Sequence, residues 1–228
     1  MKRYLALDLG AESGRAVLGS FDGNTVGIEE IHRFPNEPVR ASDGMHWDVL
    51  RLWHEIQRGI RATAAAGITT LDGVGLDTWG VDFGLFGEGG SLLANPFHYR
   101  DSRTDGMLDE VFRIVSADEI YAATGIQFMQ INSLFQLFAA SQRTPKLLAL
   151  AENLLTMPDL FHYWLTGVMA NEFTNATTTQ MFNPITGDWA WPVLEKLGLP
   201  ARIFGKVIQP GTVLGQLKPE LLFGLKSA

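Results

Sequence analysis

Residues 4–21 read YLALDLGAESGRAVLGSF. Apolar residues alternate up to Asp8 and Gly10, a bend of small residues follows, and alternation resumes after Arg15. Period-two alternation on both sides of a short break predicts strands over residues 3–8 and 15–21, joined as a hairpin. The bend holds an unusual set for a hairpin: Asp8, Gly10, Ser13, Gly14 and Arg15. Successive backbone amides in such a turn create an anion-binding concavity, and small residues let an oxygen come close. Ser13 adds a hydroxyl donor, and Arg15 adds a permanent charge with a fork that fits phosphate. Asp8 suits Mg²⁺, directly or through water, because hard cations take oxygen ligands. A plain glycine-rich hairpin with a surface Asp and Arg fits the same residues, and the bend alone does not choose.

Two common nucleotide loops are excluded. No Gly-Lys-Ser/Thr triplet occurs, and Gly10 and Gly14 are wrongly spaced for Gly-x-Gly-x-x-Gly. Both motifs open a helix, whereas Ala16–Phe21 alternates like a strand.

Working outward, Asp22-Gly23-Asn24 turns into a third strand at 25–34, and Met45-His46-Trp47 reads as extended. Asp48 suits an N-cap for a helix with the stripe Val49, Leu52, Trp53, Ile56 and Ile60, stopping at Gly67. Residues 71–87, LDGVGLDTWGVDFGLFG, predict a strand, a polar interruption and another strand. The first ninety residues therefore run β-β-β-α-β-β. Beyond Arg103 the pattern turns helical: a stripe over 107–115, then a capping box of Ser116 and Glu119 on a helix ending at Gly125. Further helices are predicted over Asn132–Ser141, Pro145–Leu155, Pro158–Thr166 and near Val193–Leu197. Residues 168–191 read as irregular, and Val213–Leu217 as a strand. One α/β domain spanning residues 1–228, with a helical insertion, is the simplest account.

A second polar cluster, Asp77-Thr78-Trp79-Gly80-Val81-Asp82, ends a buried strand, where open α/β sheets bind ligands. Carboxylates accepting from hydroxyls, an aromatic face and a glycine that admits a ring suit a sugar. Trp79 as core, with the acids capping or pairing, is the alternative. For Arg100 and Arg103 a buried ion-pair lattice with Asp101 and Asp105 is expected over contact with sugar or phosphate. His32, His46, His54, His98 and His162 lack metal-ligand spacing. The run Thr174–Gln180 is expected as a hydrogen-bonded loop, with a cleft-lining role as the alternative.

The β-β-β-α-β order around an Asp-x-Gly bend resembles the actin-like ATPase (ribonuclease H-like) fold. Within it, Asp8–Arg15 is similar to the first phosphate motif of the FGGY carbohydrate kinases. Matching stretches follow in order along nearly the whole chain: Gly75–Phe83, Tyr99–Thr104, Gly125–Phe128, Met157–Asp159 and Thr174–Gln180. The resemblance implies that Ala11, Glu12, Ser13, Gly14 and Arg15 contact ATP phosphates and that Asp8 lies near Mg²⁺. It also implies that Gly80 contacts the sugar, with Trp79 and Asp82 beside it. Among family members the motifs point to those that phosphorylate the 1-hydroxyl of L-rhamnulose, whose methyl group Trp79 or Phe83 would face. Glu12 departs from the pattern, since relatives often carry a hydroxyl residue there and a carboxylate repels phosphate. The family's general base sits in a His-Asp-Thr-like stretch, which this sequence lacks. The expectation is the first lobe of a two-lobed kinase, inactive alone, whose partner is the second, adenine-binding lobe. Another ketose or polyol kinase, a non-catalytic sugar-binding remnant and an actin-like assembly protein are the alternatives.

Composition sets outer bounds. The 228 residues are 46% hydrophobic and 19% charged, with a formal net charge of −7 and no cysteine. No basic run exists to neutralise nucleic-acid phosphate, and thiolate metal sites are excluded. Asp8 interrupts the first apolar stretch, and no segment approaches the ~20 apolar residues of a membrane span. A soluble, cytoplasmic protein is expected.

Overall fold

The computed structural model describes residues 1–226 and 228. Strand β1 (Lys2–Leu9) pairs antiparallel with β2 (Ser13–Phe21), and β2 with β3 (Val26–Pro35). A hairpin of β4 (Pro38–Ala41) and β5 (Gly44–Trp47) leads into helix α1 (Val49–Ala65). Strand β6 (Gly73–Thr78) then enters parallel to β1, giving the order β3-β2-β1-β6. Parallel neighbours need a crossover, and α1 supplies it.

Alternation explains the packing. In β1, Leu5, Leu7 and Leu9 are buried, while Ala6 between them is exposed and Asp8 half-buried. Helix α1 lays Val49, Leu52, Ile56 and Ile60 into the same core, at helical spacing. Its cap is the predicted one: the Asp48 carboxylate accepts from Arg51 N at 3.1 Å. Gly59 permits the close approach, because a Cβ there would lie 2.7 Å from that of Ala16. His32 Nε2 and Glu55 Oε2, 2.6 Å apart, tie β3 to the helix.

The remaining chain forms a helical layer with its own core. Strand β7 (Phe83–Phe86) does not continue the main sheet. After α2 (Met107–Phe112), α3 (Ala117–Thr124), α4 (Ser133–Arg143) and α5 (Pro145–Leu150), β8 (Asn153–Thr156) returns antiparallel to β7. Helix α6 (Met157–Thr166) packs Leu160, Phe161 and Leu165 into the core beneath the sheet. Strand β9 (Asn171–Glu172) and helix α7 (Phe173–Thr178) follow, then the pair β10 (Phe182–Asn183) and β11 (Asp188–Trp189), helix α8 (Trp191–Lys196) and β12 (Val207–Ile208). Val111, Ile120, Leu134, Leu137 and Trp189 centre this second core. Among the described residues no helix is long and apolar enough to cross a membrane.

Four expectations are corrected. The helix predicted over Pro145–Leu155 stops at Leu150, because a short apolar run such as Leu154-Leu155 serves equally as a buried strand. Residues 213–217 form no strand; of the five only Leu217 is buried. The stretch read as irregular contains α7. The capping box at Ser116 is half formed: the Glu119 amide donates to Ser116 Oγ at 3.3 Å, but its carboxylate takes Lys196 Nζ at 2.6 Å.

Asp159, in the first turn of α6, is buried and joins three elements. It accepts from Thr156 Oγ1 and from the Glu172 amide at 3.1 Å. Burial, against the pull of those donors, pushes its carboxyl from 3.8 up to about 7. Between those values the folded chain keeps a proton that the unfolded chain has lost, so stability falls as pH rises through that window. Asp159→Asn cannot ionise. It is expected to gain stability relative to the native chain between about pH 4 and pH 7, read from urea midpoints; a pH-independent difference contradicts the account. At the helix–sheet contact, Gly59→Val is expected to cost about 1–3 kcal/mol through overpacking. An unchanged unfolding midpoint would contradict the close approach.

Candidate functional site

The bend between β1 and β2 is a two-residue turn, Ala11-Glu12, closed on one side only. Gly10 N donates to Ser13 O at 2.9 Å, but the return bond from the Ser13 amide to the Gly10 carbonyl is absent. That carbonyl accepts instead from Asn36 Nδ2 at 2.8 Å, and the Glu12 carbonyl accepts from Asn36 N at 2.9 Å. Among the described residues no hydrogen bond uses the amides of Ala11 or Glu12. Oxygens drawn away with amides left free make an electropositive concavity. Gly14 is required beneath it, since a Cβ there would lie 2.2 Å from Phe34 Cζ.

The predicted residues Asp8, Ala11, Glu12, Ser13, Gly14 and Arg15 are thus brought together. Arg15 Nε and Nη2 donate to Asp8 Oδ2 at 2.8 and 2.7 Å, with both side chains about half exposed. The Glu12 side chain is exposed. Cross-strand register extends the cluster. Arg33 stands opposite Arg15, Arg15 opposite Asp8, and Asp8 opposite Asp77, so two cations and two carboxylates form one row across β3-β2-β1-β6. The same pairing sets Leu9 beside Thr78, and the hairpin bend and the loop after β6 leave the sheet at one end.

That second loop, residues 79–82, is a strained turn. Val81 has φ +68°, a region that β-branched residues rarely adopt, and the Asp82 amide donates back to the Gly80 carbonyl at 3.0 Å. Helix α4 holds it: the Val81 carbonyl accepts from Ser133 Oγ at 2.6 Å and from Gln136 Nε2 at 3.2 Å. Such strain persists only where surrounding bonds over-determine it.

The structure places Asp82 beneath this loop. The carboxylate is fully buried and accepts from Trp47 Nε1 (2.6 Å), Trp79 Nε1 (2.9 Å), Gln136 Nε2 (2.8 Å) and Tyr99 N (3.3 Å). Burial raises it to about 6, while these donors and the charge of Arg103 hold it lower than burial alone would. Three donors meet at Oδ2 and Gln136 at Oδ1, and both oxygens are buried behind the loop, so Asp82 holds the loop from beneath. Trp79 belongs partly to this support: its ring lies 3.9 Å from that of Trp47, and it is half-buried. Gly80 faces α7, where a Cβ would sit 3.3 Å from Thr178 Oγ1. The Thr174–Thr178 run is bonded within the helix, with Thr178 Oγ1 donating to Asn175 O.

Among the described residues no ion pair joins Arg100 or Arg103 to Asp101 or Asp105, so the expected lattice is corrected. Arg103 is buried with its guanidinium carbon 4.1 Å above Phe97, and it donates to Gln136 Oε1. Asp101 instead accepts from Met45 N and Arg103 N at 2.7 and 2.9 Å, clamping the 99–104 loop through backbone amides. Arg100 is exposed beside Tyr99. His98, stacked on Trp47, is lowered to about 4 by burial and the nearby Arg100, and stays neutral at physiological pH. Sequence reasoning missed Asn36 and Gln136; each is a buried amide whose partners lie far along the chain.

A profile of the FGGY family of carbohydrate kinases, N-terminal domain, matches residues 3–227. The rhamnulokinase of Oceanobacillus iheyensis is 40% identical over 217 residues, covering 95% of this chain and 46% of that protein. The rhamnulokinase of Bacteroides thetaiotaomicron is 40% identical over 220 residues, covering 96% and 45%. Among solved structures, the ligand-bound xylulose kinase from Lactobacillus acidophilus superposes with a TM-score of 0.88 at 18% identity, over 100% of this chain and 46% of that one. Plasmodium falciparum glycerol kinase with ADP gives a TM-score of 0.84 at 15% identity, over 97% and 46%. These likenesses place the fold as an actin-like α/β lobe. The chain spans about half the length of the curated relatives it matches. With the profile running through nearly every residue, the chain belongs to the FGGY family of carbohydrate kinases and forms its N-terminal domain.

Proposed function

We propose that the chain is the sugar- and phosphate-binding lobe of a rhamnulokinase, which moves the γ-phosphoryl group of ATP to the 1-hydroxyl of L-rhamnulose in the cytoplasm. The observation that carries the substrate is the 40% identity, over more than nine-tenths of this chain, with proteins named rhamnulokinase. Solved kinases that share the fold include a carbohydrate kinase from Novosphingobium aromaticivorans at 22% and a xylulose kinase from Bifidobacterium adolescentis at 9%.

The bend fits a polyphosphate. Its unbonded amides, the Ser13 hydroxyl and Arg15 are donors gathered at one bend, and Asp8 adds a hard oxygen for Mg²⁺. An exposed ion pair such as Arg15–Asp8 is worth about 0–1 kcal/mol. Hydrogen bonds to a charged group contribute about 1.5–3 kcal/mol each. Arg15 therefore exchanges Asp8 for phosphate at little cost, and the exchange frees the carboxylate for the metal. When bound, ATP supplies the phosphoryl group and Mg²⁺ offsets its charge. Gly80, bare of a side chain where the strained loop meets α7, lets the ketose lie against that edge, and the exposed part of Trp79 offers an apolar face to the methyl group. Asp82 and Gln136 keep the loop in place. The proton acceptor and the adenine contacts belong, in this reading, to the second lobe of the full-length protein.

Calorimetry of the chain with a panel of sugars tests the substrate. L-rhamnulose is expected to give a saturable heat, with xylulose, gluconate and glycerol at least tenfold weaker. Tighter binding of xylulose or glycerol, or no heat with any sugar, would overturn the assignment.

A further inference from the structure

The turn at Ala11-Glu12 lacks the bond that ordinarily closes a two-residue hairpin, from the Ser13 amide to the Gly10 carbonyl. Asn36, which is 3% exposed, occupies that carbonyl with its side-chain amide and takes the Glu12 carbonyl with its backbone N–H. In a trans peptide the C=O and the N–H of the next residue point in opposite directions, and no peptide bond among the described residues is cis. Holding the Gly10 carbonyl therefore turns the Ala11 amide away from Asn36. Holding the Glu12 carbonyl does the same for the Ser13 amide.

We infer that Asn36 is the positioning residue of the phosphate-binding bend: it competes with the Ser13 amide for the Gly10 carbonyl and so keeps the Ala11 and Ser13 amides open to a polyphosphate. The inference rests on the reading of the bend as a phosphate grip. Asn36 itself touches no phosphate in this account. Its work is to stop the turn from satisfying itself, because a hairpin that closes its own bond has one amide fewer for an anion. Register supports the division of labour. Ser13 stands opposite Pro35, which has no N–H, and the chain then delivers Asn36 directly beneath the bend.

The test is a titration of the chain with magnesium tripolyphosphate, which needs no adenine pocket, alongside L-rhamnulose as a control ligand. Asn36→Ala is expected to weaken tripolyphosphate at least fivefold and to leave the L-rhamnulose heat unchanged. By amide hydrogen exchange, Ser13 is expected to exchange quickly in the native chain and to become protected in the variant, as the turn closes. Asn36→Asp keeps the shape and the backbone N–H but loses the side-chain donor, and is expected to behave alike if the alanine variant folds poorly. Tripolyphosphate affinity within twofold of native in a folded variant overturns the inference while leaving the phosphate grip intact. So does an equal loss for both ligands, which marks a merely structural role. Failure of the native chain to bind tripolyphosphate overturns the grip itself, and the inference with it.

Discussion

Parallel pairing of β1 with β6 is the constraint on which the rest of the molecule depends. It sets Asp8 beside Asp77 and Leu9 beside Thr78, so two loops far apart in sequence leave the sheet at one edge. Parallel strands can adopt that register only across a connection long enough to return, and α1 fills it while burying the leucine face of β1. A slip of one residue would send Asp8 into the core and Leu7 or Leu9 to the open face. Because three leucines oppose that slip, hydrophobic burial on one face fixes the position of the carboxylates on the other.

Each loop at that edge is then held from beneath by a buried side-chain amide. Asn36 engages the hairpin bend, and Gln136 engages Val81, Asp82 and Arg103 at once. Asn132 donates to Gln180, itself at φ +62° and buried, and so links α4 to the segment after α7. Unpaired, such groups would each cost several kcal/mol, on the order of 1–3 or more. Fully engaged, they specify one arrangement of a strained turn. The charged groups Asp8, Arg15 and Asp77 stay at the surface, where they exchange partners cheaply. Support is buried; the charged row is exposed.

What was legible from the sequence follows the range of the interactions involved. The hairpin, its bend and the cap of α1 are local: alternation, small residues and Asp48 each act within a few positions. The closeness of the bend to residues 77–82 was implied only by the family resemblance; the pairing of β1 with β6 that produces it joins residues about 70 positions apart. The partners of Asp82 were not legible, because a carboxylate at a strand end looks alike whether it faces a ligand or two tryptophan N–H groups, and Trp47 is 35 residues away. Asn36 was invisible for the same reason, its side-chain partner lying 26 residues back. The strand within the predicted helix at 145–155 is decided by β7, which no local pattern near Leu154 reveals.

A crystal structure of the chain with magnesium ATP and L-rhamnulose tests the shared edge of β1 and β6 most directly. The account predicts the phosphate chain against the amides of Ala11 and Ser13 with Arg15 turned onto it, and the ketose beside Gly80. Phosphates seated elsewhere, or a sugar bound away from the 79–82 loop, would contradict it.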